Sequence, residues 1–216
     1  MARALTQSKR RGKPRWQRRK DARPEEILAA ALDVFVERGF ARARLEEVAR
    51  RAGVTKGTIY LYFKSKETLF KAVVRGTIVP VIAQGEALAQ SFTGSARDLV
   101  EQLVRSYWTL VGETRLAGIP KLMMAEAATF PALTKFYYDE VVTRGHRLMA
   151  GVIERGIQNG EFRPVDVTVA AKLAMSPLMH AVVARHAFAS CMPEAFDVKK
   201  YLDTHIDLYL HGIANQ

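Results

Sequence analysis

Within residues 53–70, GVTKGTIYLYFKSKETLF, three lysines (Lys56, Lys64, Lys66) alternate with two tyrosines (Tyr60, Tyr62), and no acid occurs before Glu67. Ammonium and phenol groups donate hydrogen bonds, so donors crowded on one short segment suit a row of phosphate oxygens. A solvated surface helix would mix acids with bases. Advancing about 100° per residue from Thr55 brings Ile59 and Phe63 together at about 40° and 80°, which marks the buried edge. Gly57, Thr58 and Leu61 centre the opposite side, with Tyr60 and Tyr62 on its flanks. Such a helix enters the major groove of B-DNA, about 12 Å wide, while its tyrosines, Lys64 and Lys66 meet phosphates on either side. The competing reading is a helical hairpin whose tyrosines cover the core.

Charge is distributed unevenly. Residues 1–23 hold ten Lys/Arg against Asp21, whereas the other 193 residues hold 23 bases against 21 acids. A like-charged, apolar-poor run predicts a disordered basic arm over residues 1–22, either lying along a polyanion or serving solubility. Cys191 is the only cysteine; no intramolecular disulfide is available, and a reducing cytoplasm fits. Charge interrupts every apolar run before about 18 residues, which predicts no membrane span.

Enzyme and metal chemistries find little support. His180 and His186, like His205 and His211, are six residues apart, which turns each pair away from a shared helical face. HExxH, P-loop, GxGxxG and GxSxG patterns are missing, and no cofactor is implied.

The elements that position the basic segment are helical throughout. Pro24, Glu25 and Glu26 open a helix whose Ile27, Ala30, Ala31, Val34 and Phe35 form one stripe, and Gly39 stops it. A second helix runs from about Leu45 to Ala52 with Gly53 as its C′ residue. Thr55 caps the third, which ends near Phe63, and Ser65 caps a fourth that Pro80 should kink or interrupt. Two helices joined across Gly53-Val54, the second presented outward, make a helix-turn-helix. Longer helices are expected over about 96–117, 121–128, 130–158, 166–188 and 197–212, with a break at GIP (118–120). The expectation is therefore an all-α fold of about nine helices, with a helix-turn-helix domain over residues 23–75 and a helical bundle over 76–216.

The run RPEEILAAALDVFVERGFARARLEEVARRAGVTKGTIYLYFKSKETLFKAVV, Arg23 to Val74, closely resembles the DNA-binding domain of the TetR family of bacterial transcriptional regulators. It covers about a quarter of the chain, in order and without a gap. MMAEAATFPALTKFYYDE (123–140) resembles the ligand-domain segment of the AefR-like subgroup. The resemblance implies a homodimer that binds a palindromic double-stranded DNA operator and carries a C-terminal effector-binding and dimerisation domain. It places Lys56, Gly57, Thr58 and Leu61 against bases, and Tyr60, Tyr62 and Lys66 against phosphates. Where the family usually has Thr or Ser before the second helix, this chain has Ala43 and Arg44; the cap is weakened, and Arg44 reaches toward a phosphate instead. With Thr55 and Lys64, these residues make up the expected DNA-contacting set.

For the effector, a small molecule of unspecified chemistry, the large or flexible apolar residues of the bundle are the candidates: Tyr107, Trp108, Met123, Phe136, Met175, Met179 and His180, with Met124 and Tyr137 beside them. Arg115, Glu126, His180 and His186 are the polar groups available to orient it. Small residues at 170, 171, 174, 176, 181 and 184, with Val198, Leu202, Ile206, Tyr209 and Ile213, are expected to form the dimer seam, or else to pack within one chain. The function expected is a repressor released from DNA by its effector; the alternative is a DNA-binding structural or nucleoid-associated protein with no effector.

Overall fold

The computed structural model describes residues 24–188, 191 and 196–215; the basic segment expected to be an arm lies outside the described residues. Ten α-helical stretches follow in order: α1 (Pro24–Arg42), α2 (Leu45–Arg51), α3 (Lys56–Tyr62), α4 (Lys66–Ser91), α5 (Ala96–Tyr107), α6 (Gly118–Glu126), α7 (Pro131–Tyr137), α8 (Thr143–Gln158), α9 (Val167–Ala187) and α10 (Val198–Ile213). A π-turn over Tyr138–Val142 joins α7 to α8 without a break, so nine rods result among the described residues. A second π-turn, Trp108–Gly112, extends α5.

Local chemistry sets the ends. Gly39 takes φ 78°, a conformation that ends the regular part of α1. At the end of α2, Gly53 takes φ 69° while Val54 N donates to Ala49 O (2.9 Å) and Gly53 N to Arg50 O (3.3 Å), the paired bonds of a Schellman cap. Ser65 and Thr68 form a reciprocal capping box on α4, and Ser95, Asp166 and Asp197 cap α5, α9 and α10.

Four expectations are corrected. Pro80 lies inside α4, a rod of 26 residues with no non-helical residue, so it neither ends nor interrupts it. The break expected at residues 118–120 falls earlier, at Glu113 and Thr114, because Pro120 sits in the first turn of α6, where a missing N–H costs nothing. Apolar runs free enough of charge to match a bilayer by length and composition do occur, in Lys66–Ser91 and Val167–His186. Within the fold these are packing helices: Phe70, Val73 and Val74 of α4, and Ala171, Ala174 and Leu178 of α9, are fully covered. Finally, Ala170, Ala171, Ala174, Ala181 and Ala184 with Leu202, Ile206 and Ile213 are buried within one chain. Their small side chains let α9 approach its own neighbours, so the intramolecular reading of that stripe holds.

Two cores carry the packing. The first joins α1–α4 to α6 and α7: Ile27, Phe35, Val48, Ile59, Phe70 and Val74 pack with Ile119, Leu122, Met123, Leu133 and Phe136. Phe35, Phe40 and Phe70 meet at ring separations of 5.3–5.7 Å, and Phe130 closes on Phe40 at 4.8 Å. Each such ring contributes about 1.5–3 kcal/mol by burial. The second core lies among α5, α8, α9 and α10. The division expected near residue 75 falls inside α4, and α6 and α7 share the first core with the helix-turn-helix.

Candidate nucleic-acid interface and effector cavity

α3 is held from beneath by one fully buried side chain, Ile59, with partly buried Phe63 at its C-cap. Its other faces are bare. Leu61 is 83% exposed, and Tyr60 and Tyr62 are 47% and 49% exposed. Lys56, Gly57 and Lys64 are exposed as well, and a Cβ built on Gly57 would meet nothing closer than Thr55 Oγ1 at 3.6 Å. At the start of the helix the Thr55 hydroxyl accepts from Thr58 N (3.0 Å) and lies 2.8 Å from the Thr58 hydroxyl, which fixes both side chains.

Three ion pairs orient this face. Arg51 of α2 grips Glu37 of α1 through both nitrogens (2.7 and 2.5 Å) and reaches Glu47 (2.8 Å). These hydrogen bonds hold both carboxyls below their ordinary range. Lys56 Nζ lies 2.5 Å from Glu46 Oε1 and 5.7 Å from the Tyr60 ring centroid. The Lys56 bond lowers the Glu46 pKa and raises that of Lys56. Arg44 is the exposed N-cap residue of α2 and makes no side-chain cap, while Glu46 and Glu47 in the first turn suit the positive helix end.

Lys66 departs from its expected place. Its ammonium donates to Phe40 O (2.7 Å), Ala41 O (3.0 Å) and Ala43 O (3.3 Å), and sits 4.7 Å from the Phe40 ring. Three N–H donors meet three carbonyls, which leaves none for a phosphate. Burial lowers its pKa, against the opposing pull of Glu126 and Glu67. Lys66 therefore closes the end of α1 and fixes the entry to α2.

Beneath the first core is an apolar cavity in two adjoining lobes that share Val81, Ile82, Tyr107, Gly145 and Met175. One, about 270 Å³, is walled by Gly85, Leu88, Leu103, Leu148 and Met149. The other, about 230 Å³, adds Val111, Tyr137, Val141, His146, Ser176 and Met179. Of the expected effector residues, Tyr107, Met175 and Met179 line this cavity, and Tyr137 joins them. The others are corrected. Trp108 is buried in the second core and donates to Glu113 Oε1 (3.2 Å). Met123 and Phe136 belong to the first core, with Lys71 and Arg75 over the Phe136 ring. His180 is exposed and stacks near Phe196 and Tyr201, and Met124 is 59% exposed.

The polar candidates also serve elsewhere. Arg115 pairs with Asp33 (2.7 Å), Glu126 accepts from Ala41 N (3.1 Å), and His186 Nε2 meets Gly112 O (2.9 Å). Beside the two phenols, the polar groups of the cavity are Gln84 and Ser106 in the first lobe and His146 and Ser176 in the second; none of the four was expected there, and Ser176 was expected in the dimer seam. Among the described residues no group of three or more His, Cys, Asp or Glu is placed to hold a metal.

Comparison with known proteins agrees with this arrangement. Residues 27–73 match the model of bacterial regulatory proteins of the tetR family, and residues 92–195 match the tetracyclin repressor-like C-terminal domain. The chain is 30% identical over 179 residues to the helix-turn-helix-type transcriptional regulator YdeS of Bacillus subtilis, covering 81% of this chain and 83% of the relative. It is 29% identical over 153 residues to the transcriptional repressor KstR2 of Rhodococcus jostii, covering 70% and 74%. In fold it superposes on FadR of Bacillus subtilis in complex with stearoyl-CoA, with a TM-score of 0.75 at 22% identity over 88% of this chain and all of that one. With its helix-turn-helix, its helical second domain and these relatives together, the chain belongs to the TetR family of bacterial DNA-binding transcriptional regulators.

Proposed function

We propose that the protein is a homodimeric repressor whose α3 enters the major groove of a two-fold symmetric operator, and that a small molecule in the apolar cavity releases it. Lys56, Gly57, Thr58 and Leu61 face the bases, while Thr55, Tyr60, Tyr62, Lys64 and Arg44 stand toward the backbone. Lys66 acts at one remove, by holding the end of α1.

One observation carries the effector half of this reading: the cavity and the DNA-binding unit share walls. Val111, Tyr107, Tyr137 and Val141 border the cavity and also pack on the core built around α1–α4. A ligand that favours one packing of these residues over another thereby biases the position of α3. Links across the seam are specific: Glu126 to Ala41 N, Phe130 on Phe40, Arg115 to Asp33, and Arg75 to Glu140 (2.5 Å). The relatives named as a repressor and as a stearoyl-CoA complex support regulation of this kind.

Dimerisation is assigned to the outward face of α9 and α10, where Leu173 is 58% and Leu208 68% exposed, with Val169 alongside.

Leu61→Glu tests the DNA half. Its side chain projects into solvent, so the substitution leaves the melting temperature in place while setting a carboxylate against the groove. Binding to duplex DNA, followed by fluorescence anisotropy, should fall at least tenfold, about 1.4 kcal/mol. Unchanged binding would remove α3 from the interface.

A further inference from the structure

The cavity has an unusual inventory of hydrogen-bonding groups. Tyr107 is the last residue of α5, immediately before the Trp108–Gly112 π-turn; Tyr137 is the last residue of α7, immediately before the Tyr138–Val142 π-turn. π-turns inside helices occur frequently at functional sites. Both rings line the same lobe, and neither hydroxyl has a hydrogen-bond partner among the described protein groups. Other enclosed tyrosines of the bundle behave differently: Tyr201 donates to Pro177 O (3.3 Å) and Tyr209 to Ala170 O (2.9 Å). Enclosed phenols normally find a partner. Here two, both partly buried, border a space that a ligand would fill.

The charge around them is equally specific. Among the described residues no Asp, Glu, Lys or Arg lines either lobe. Among the described residues His146 is the one imidazole in the wall, and burial, with Lys172 nearby, lowers its pKa and so disfavours the charged ring. Arg144, the adjacent guanidinium, is held by Glu86 through two bonds of 2.6 and 2.5 Å. Burial pushes the Tyr107 hydroxyl up to about 12, and burial with Tyr107 as neighbour pushes Tyr137 higher still. Both phenols are donors at every physiological pH. A carboxylate buried here would lose its hydration with no cation among the described lining residues to pair with, since Lys172 stands outside the lining.

We propose that Tyr107 and Tyr137 read the head group of the effector, and that the effector is an elongated apolar molecule whose polar group is an uncharged carbonyl of the ester, thioester or ketone type. The carbonyl oxygen accepts from the phenols in the lobe lined by His146 and Ser176. The apolar chain extends past Val81, Ile82 and Gly145 into the lobe walled by Leu88, Leu103 and Leu148. This deepens the effector reading above and rests on it.

The test uses the full chain with two probes of equal length, methyl decanoate and decanoic acid, in calorimetric titrations at neutral pH. Carbonyl-labelled ester supplies an infrared readout of the head group. The ester should bind at least about tenfold more tightly than the acid. Its bound carbonyl stretch should move to lower frequency than in an apolar solvent and return toward that value in Tyr107→Phe/Tyr137→Phe. The single variants answer the same question should the double variant not fold. Acid binding as tightly as ester would overturn the neutral head group, and an unchanged stretch in the Phe variants would overturn the role of the phenols. Gly145 borders both lobes, and a Cβ there meets nothing within 4 Å, so Gly145→Leu fills the cavity without straining its helix. If no probe binds, or if the ester still binds Gly145→Leu, the cavity is not the effector site and the broader reading falls with this one.

Discussion

Glu46 and Lys56 stand 2.5 Å apart on neighbouring helices, and the DNA groove would compete with Glu46 for that ammonium. Removing the carboxylate frees Lys56 and takes a negative charge from the DNA-facing side. Glu46→Gln should therefore tighten non-specific duplex binding several-fold and steepen the slope of log affinity against log salt by up to about one unit. Titrations at several salt concentrations measure both, and an unchanged slope would show that Glu46 does not hold Lys56 back from the DNA. The outward face of α3 was legible because one short helix obeys a simple wheel: Leu61 lies opposite Ile59, and the exposures follow. Lys64 and Lys66, two residues apart, were not separable in this way. What distinguishes them is the carbonyl end of α1, 23 to 26 residues earlier in the chain, and no local pattern records that contact.

At the scale of elements, α2 is tied to α1 by Arg51 with Glu37 and by Arg38 with Glu47, over the buried Leu45, Val48 and Ala49; Arg51 also holds Glu47 within α2. Both carboxyls are depressed in the folded state, first by their hydrogen bonds to Arg51. A depressed folded pKa contributes stability above the unfolded value, about 4.3 for Glu, and that stability is lost as pH falls through the folded value. Thermal unfolding of wild type and Arg51→Ala across pH should show a gap in melting temperature at neutrality that closes on acidification into the carboxylate range. A constant gap would mean that packing, rather than charge, joins the two helices. The cavity was harder to read from sequence. Each π-turn adds a residue to its helical turn, so a wheel drawn straight through α5 or through α7 and α8 misplaces everything beyond it. His146, nine residues past Tyr137 and beyond its π-turn, went unnoticed, whereas Trp108 and Phe136 were assigned to the cavity by residue type alone although they face the cores. Met175 and Met179 are one α-helical turn apart in α9, where no such shift intervenes, and both were found.

For the whole molecule, the buried alanine stripe of α9 and the exposed leucines beside it separate folding from assembly. Leu173→Arg charges an outward face and should convert dimer to folded monomer in sedimentation experiments, whereas Ala174 is fully covered and would report on folding instead. A dimer that survives Leu173→Arg would move the interface elsewhere. Two copies of α3 related by a two-fold axis impose symmetry on the DNA, because each half-site meets the same side chains. The fold and its DNA-binding half were readable from the N-terminal third, where the helix-turn-helix is local; the regulatory half depends on contacts between segments far apart in sequence. The central claim is sequence-specific, two-fold symmetric DNA recognition through α3. Its most direct measurement is selection of binding sites by the full-length protein from a pool of random duplexes, repeated with Thr58→Ala. The account predicts an inverted repeat with half-sites about one helical turn apart or a multiple of it, altered at a few positions by the substitution. Recovery of sequences without symmetry, or the same motif from both proteins at every position, would contradict it.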